Sequence, residues 1–169
     1  MPIVASDIHV RLSGGAGNSA PTASLGGVKS STSVVDATEG NKFANVGSAE
    51  ALAGSTKYRG FYAHNNHGSL TLQSTVIWIS SQTPSTGTDI AIALAGEGLN
   101  ATMETIANED TAPVGETFSA PATKGAGLSM GNIPTTQHYG YWERRIVQAS
   151  SSAFNNDDWD ISIEGDTDA

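Results

Sequence analysis

The chain contains no cysteine, so neither a disulfide framework nor a thiolate metal site is open to it. A domain of 169 residues can bury a core without disulfides, and their absence suits folding in a reducing cytoplasm. Basic residues are scarce: eight Lys and Arg stand against 17 Asp and Glu, for a net charge of −9. Nucleic-acid binding draws its affinity from neutralised phosphates. Beyond the pair Arg144-Arg145 there is no basic cluster, so no direct DNA or RNA contact is expected. An anionic membrane surface is disfavoured on the same ground. Long apolar runs are missing too. The longest strongly apolar one, Val76 to Ile79, is far too short to span a bilayer. The opening Met-Pro-Ile-Val-Ala-Ser-Asp has no basic region followed by an apolar run, so no secretory leader is expected.

What is present is alternation. From Tyr58 to Leu94 apolar residues recur at every second position: Leu70 and Leu72, Val76 and Trp78, then Ile90, Ile92 and Leu94. That period belongs to strands with one buried face. Turn residues separate them, Asn65 to Gly68 first and Pro84/Gly87 second. A short strand with Ile8, Val10 and Leu12 on one side is expected within residues 1 to 12. Later strands are expected from Leu128, over His138 to Ala149, and over Trp159 to Glu164. Residues 47 to 53 read as a short helix, with Ser48 as N-cap and Gly54 as terminator. The tract from Gly96 to Gly127 is irregular; Met103, Ile106, Val114 and Phe118 give it two short strands or a folded-over loop. Six to eight strands with turns between them define an all-β, antiparallel β-sandwich, immunoglobulin-like or jelly roll.

Residues 13 to 42 differ in kind, with Gly14, Gly15, Gly17, Gly26, Gly27 and Gly40 among Ser, Ala and Thr. Such a segment carries too little apolar area to offset its own ordering entropy. The expected organisation is therefore an N-terminal strand and extended arm over 1–42 and a sandwich domain over 43–169. The arm is either a flexible tail or orders against a neighbouring subunit through Leu25, Val28, Val34 and Val35. Deleting residues 1 to 42 should then leave the fold intact and abolish partner binding.

Candidate chemistry is thin. His64, His67 and His138 offer imidazoles for zinc, but two of them flank a loop tip, where polar residues are ordinary. Asn155, Asn156, Asp157, Asp158 and Asp160 resemble a calcium loop without the EF-hand register, and equally an ordinary polar turn. Ser129 lies between Gly127 and Gly131 at nucleophile-elbow spacing, yet no helix follows it. Glu97, Glu104, Glu109, Asp110 and Glu116 could supply paired carboxylates, though loop acids are mostly solvated. No catalytic residue, metal or cofactor is assigned. Trp78, Trp142 and Trp159 sit in alternating strands, where burial is a better reading than sugar stacking. Tyr139 and Tyr141 share one face of their strand with Glu143 and Arg145. If exposed, that face has the composition of a protein contact.

The stretch Tyr58-Arg-Gly-Phe-Tyr-Ala-His-Asn-Asn-His-Gly-Ser-Leu-Thr-Leu resembles small virion structural proteins of tailed bacteriophages. So do Gly131-Asn-Ile-Pro, the strand Tyr141-Trp-Glu-Arg-Arg-Ile-Val and the closing Glu-Gly-Asp-Thr at 164–167. A "strand, Asn-x-x-Gly, strand" opening is also similar to immunoglobulin-type adhesion modules. The resemblance covers residues 43 to 167. It implies a non-enzymatic capsid decoration or cement protein, assembled in the host bacterial cytoplasm and carried on the virion. The partner would be the major capsid protein, met as a small homo-oligomer such as a trimer. The contacts would come from Leu25, Val28, Val34, Val35, Tyr139, Tyr141 and Arg145. The alternatives are a neck, tail or head-fibre component, and a carbohydrate-binding or adhesion module.

Overall fold

The computed structural model describes residues 1–167. Alternating side chains build two antiparallel sheets that face each other. In chain order the elements are β1 (Ile8–Leu12), β2 (Gly26–Gly27), α1 (Ser48–Ala53), β3 (Ser55–Asn65), β4 (Leu72–Ser81), β5 (Thr88–Leu99), β6 (Met103–Thr105), β7 (Leu128–Ile133), β8 (His138–Val147) and β9 (Asp160–Thr167). The larger sheet runs β1-β3-β8-β5 and the smaller β7-β4-β9; β2 and β6 form a two-stranded patch. The chain is thus an all-β antiparallel sandwich, as the alternation predicts.

The sandwich core lies between the sheets. Leu12, Phe61, Ala63, Ile90, Ile92 and Tyr141 of the larger sheet meet Leu72, Ile77, Ile79, Met130 and Ile133 of the smaller one. Each fully buried Ile or Phe there contributes about 1.5–3 kcal/mol of transfer free energy. One phase is corrected. Leu72 faces inward, but Val76 and Trp78 do not continue that face; Thr75, Ile77 and Ile79 do. The pairing register slips between Leu72 and Thr75, where Ser74 takes φ 50°. A bulge adds one residue and turns every later side chain over. Ser74 N–H donates to Asn132 Oδ1 at 3.0 Å, and the Thr75 hydroxyl to the Leu72 carbonyl at 3.2 Å, so the distortion is satisfied.

The outer face of the larger sheet carries a second core: Tyr62, Ala93, Ala95, Met103, Ile106 and Trp142, with Leu25, Tyr58 and Phe118 packed on it. What covers it is the glycine-rich segment expected as an extended arm, together with the irregular tract after β5. The arm is not extended. Gly60 N–H donates to the Ser24 carbonyl at 2.9 Å and Ile106 N–H to the Leu25 carbonyl at 3.0 Å. The Ser13 hydroxyl donates to the Gly60 carbonyl at 2.7 Å. Residues 30–34 then run beside β1, with Ser30 N–H on the Leu12 carbonyl and Val34 N–H on the Val10 carbonyl, both 2.8 Å. The composition argument weighed only the arm's own apolar area. Tyr62 and Trp142 beneath it supply the missing surface.

Small residues make this third layer possible. A Cβ on Gly26, which has φ +86°, would lie 1.8 Å from the Glu104 carbonyl oxygen and 2.9 Å from the Trp142 ring. Gly140 opens the same space from below, since a Cβ there would sit 2.6 Å from Met103. The short helix falls at Ser48–Ala53 and ends at Gly54, whose N–H donates to the Glu50 carbonyl. Its N-cap is Gly47, and Ser48 is the first helical residue.

Candidate functional site

The strands place charge where a sandwich usually places aliphatics. Phe61 and Tyr141 face the core, so by strand period Arg59, Lys57, Glu143 and Arg145 face the same way further along β3 and β8. Arg59 lies opposite Glu143 in the ladder, and Lys57 opposite Arg145. Residues 42–50 fold across that end and supply partners. Lys42 Nζ is 2.6 Å from Glu143 Oε1, and Trp159 Nε1–H donates to Glu143 Oε2 at 3.2 Å. Arg145 donates to Glu50 at 3.1 Å and to the Ala44 carbonyl at 2.7 Å. Lys57 bridges Glu50 at 3.3 Å and Glu109 at 2.9 Å, and Arg59 pairs with Glu109.

Buried Phe43 sits at the centre. The Arg145 and Arg59 guanidinium carbons lie 5.0 and 5.6 Å from its ring centroid, and the Trp159 ring 5.9 Å away, tilted. Burial pushes the Glu50 carboxyl up, but the Ser55 hydroxyl, Arg145 and Lys57 outweigh it and hold Glu50 below the ordinary carboxylate value. Glu109 is likewise lowered: burial opposes, and Lys57 and Arg59 prevail. Burial also works against Lys57, yet Glu109 and Glu50 leave it raised. Every charge in the group thus has an opposite charge in reach. Removing one partner of such a buried pair costs about 3–5 kcal/mol, because the other is left uncompensated. The arrangement acts as an internal brace. The Ser55 hydroxyl joins it by donating to Glu50 at 2.6 Å.

The proposed contact residues scatter. Tyr141 is 0% and Arg145 5% exposed, with Tyr139 partly buried against the same core. Their face is the inner one, so on the folded chain these three do not form a docking surface. Burial and the Glu143 carboxylate together push the Tyr141 phenol well above its ordinary value. Among the arm anchors, Leu25 packs into the second core and Val34 against the sandwich core, while Val28 and Val35 are 50% and 65% exposed. Val35 borders a shallow groove of about 210 Å³ lined also by Leu12, Pro21, Val34 and Thr38.

The other candidates are taken up by structure. His67 Nδ1 accepts N–H bonds from Ser69 and Leu70 at 3.2 and 3.0 Å, capping its turn. Asp157 accepts from Ser85 N–H at 3.0 Å and from the Thr88 hydroxyl, clasping the β4–β5 turn. Glu97, Glu104 and Glu116 accept backbone N–H bonds from Glu104, Val114 and Gly96 and so pin the irregular tract. Among the described residues, no group of three or more His, Asp or Glu is arranged to hold a metal ion. Ser129 lies on β7. Trp142 is fully buried, Trp159 partly so, and Trp78 is partly exposed on the outer face of the smaller sheet opposite Ser162. No helix is long and apolar enough to cross a membrane among the described residues. Comparison with protein-family models, curated proteins and solved structures gave no match. The ionic brace was missed from sequence, although Lys57, Arg59 and Phe61 share one strand phase, as do Tyr141, Glu143 and Arg145. Charge in phase with core residues is the signal that could have revealed it.

Proposed function

We propose that this chain is a non-enzymatic structural protein of a tailed-phage virion, decorating the outside of the shell and strengthening capsomer junctions. The observation that carries this reading is the concentration of its charged chemistry into an internal brace of Lys42, Phe43, Glu50, Lys57, Arg59, Glu109, Glu143 and Arg145. A protein that works by burying area against a partner needs a stiff body, and such a network resists deformation at the end of the sandwich. With the arm folded, this reading puts the partner elsewhere. Contact falls to the exposed Val28 and Val35 and the groove beside Val35. The test is the copy number of the chain in purified particles, by quantitative mass spectrometry against the major capsid protein. Hundreds of copies fit decoration. A dozen or fewer move it to the neck, tail or fibres, and absence from the particle overturns the virion reading.

Trp78 supports a second reading. It presents a partly exposed indole beside Ser162, with Ser80 two residues on; the Ser162 hydroxyl donates to Ser80 at 2.8 Å. An aromatic face beside hydroxyls suits stacking on a sugar ring. A glycan-dependent change in tryptophan emission that Trp78→Ala abolishes would favour a carbohydrate-binding module.

A further inference from the structure

Three of the four histidines stand side by side. In the ladder His9 of β1 lies opposite His64 of β3, and His64 opposite His138 of β8. Cross-strand partners point to one face, and the inward Phe61 and Ala63 put this row on the outer face, beneath the third layer. His64 is 7% exposed, and the buried Nδ1 atoms of His64 and His138 have no hydrogen-bond partner. His64 Nε2 meets the Thr136 carbonyl at 3.2 Å, and His138 stacks edge-on to Tyr62 with ring centroids 4.8 Å apart.

The charged neighbours are nearly all cations. Lys29, on the third layer, acts on both His64 and His138, and Arg11 of β1 acts on His9, His64 and Lys29. Among the described residues the one carboxylate that acts on the row is Asp7, at the His9 end. Glu97 acts on Tyr62 instead. Neither Lys29 nor Arg11 forms an ion pair among the described residues. The segment above is tied down on both sides of Lys29, by the bonds of Ser24, Leu25, Ser30 and Val34 already described and by Leu12 N–H on the Thr32 carbonyl at 3.0 Å. The Tyr62 hydroxyl donates to the Gly27 carbonyl at 2.5 Å and Gly15 N–H to the Val28 carbonyl at 2.9 Å. His9 Nδ1 lies 3.0 Å from the Ser33 hydroxyl, and Arg11 reaches the Ser31 carbonyl.

We propose that the row His9–His64–His138 is a proton-operated latch for the third layer: neutral imidazoles seat the segment around Lys29, and protonated ones expel it. A proton arriving at Nδ1 of His64 or His138 becomes a buried N–H⁺ with no acceptor, repelled by Lys29 at both rings and by Arg11 at His64. Moving the segment admits water and separates the like charges. The sandwich core on the far side of the sheet is not involved, so opening is local. Release uncovers Tyr62 and Trp142, an apolar surface the closed molecule hides.

The sign follows from the resting state. Burial first, then Lys29, holds His64 down to about 4, and burial likewise lowers His138 and His9. The open form takes up protons nearer the free value of ~6.5, so acidification through that interval favours opening. The test is hydrogen exchange on the intact chain between pH 7.5 and 4.5, corrected for intrinsic rates, with a parallel NMR titration of the histidine rings. Expected is a loss of protection of tenfold or more at Gly60, Ile106 and Ser30, whose amides bond across to or from the layer. The β3–β8 ladder amides should stay protected. Unchanged protection down to pH 4.5 overturns the latch, as does titration of His64 and His138 at about 6.5 with the layer closed. The His64→Gln/His138→Gln variant should keep the layer closed at pH 4.5; opening as in the parent refutes the assignment to the row. Should that variant fail to fold, Lys29→Met supplies the same check, with opening reduced at least several-fold.

Discussion

Glu143 and Lys42 offer the sharpest test of the internal brace. Glu143 is 0% exposed and Lys42 12%, and their 2.6 Å contact is one of the links between β8 and the strap of residues that crosses the open end of the sandwich. Glu143→Gln keeps the shape and an acceptor for Trp159, so it should fall at the low end of the range for breaking a buried pair, about 3 kcal/mol. Lys42→Met removes the ammonium but leaves a carboxylate in the interior, and should also cost about 3 kcal/mol. The double variant carries no stranded charge. It should therefore cost no more than either single change, giving a coupling of at least about 3 kcal/mol. In urea unfolding, with m of about 2 kcal/mol/M, each single variant should lower the midpoint by about 1.5 M. Additive effects, with a coupling below about 0.5 kcal/mol, would show that the pair is solvated in solution and would refute the brace.

Further outcomes follow from other elements. Gly26→Ala must move the Glu104 backbone and the Trp142 ring at a positive φ, so a loss of about 2–4 kcal/mol with red-shifted tryptophan emission is expected. Deleting residues 1–42 removes β1 with buried Leu12 and uncovers Trp142; circular dichroism and thermal melting should show loss of cooperative folding, whereas a native-like melt would restore the separable arm. For His64 the unfolded chain binds the extra proton between pH 6.5 and about 4, so stability falls as pH drops through that window. The full shift corresponds to about 3 kcal/mol, reduced to about 1–2 by water that reaches the ring; a stability curve flat from pH 7 to 4.5 would contradict it. Trp78→Ala lies outside both cores and should cost under about 1.5 kcal/mol in the same unfolding assay.

The strand framework was legible because period-2 alternation is a local signal. β3, β5 and β8 fall where Phe61, Ile90, Ile92 and Tyr141 put them. What escaped were features that depend on two distant segments at once. The inward phase of β4 was misread because one bulged residue, Ser74, reverses the pattern without altering composition. The glycine-rich segment looked unable to fold because its partner surface, Tyr62 and Trp142, belongs to strands dozens of residues away. Tyr139, Tyr141 and Arg145 were assigned to a contact face because the tyrosines' alternation with Trp142 left open which side met the other sheet. Arg145 then looks like surface charge, although Glu50 and the Ala44 carbonyl await it inside.

The brace also sorts the molecule's charge. With Lys42, Lys57, Arg59 and Arg145 turned inward against Glu50, Glu109 and Glu143, half of the eight basic residues leave the solvated exterior but only three of the 17 acidic ones do. The outside is therefore more anionic than the net charge of the chain indicates, and it draws a dense counterion cloud. Two such bodies repel within a Debye length of about 10 Å at 0.1 M salt. Copies crowded onto one surface would keep a lateral gap, each held by its own seat and not by its neighbours. Raising the salt would collapse that gap and let them touch.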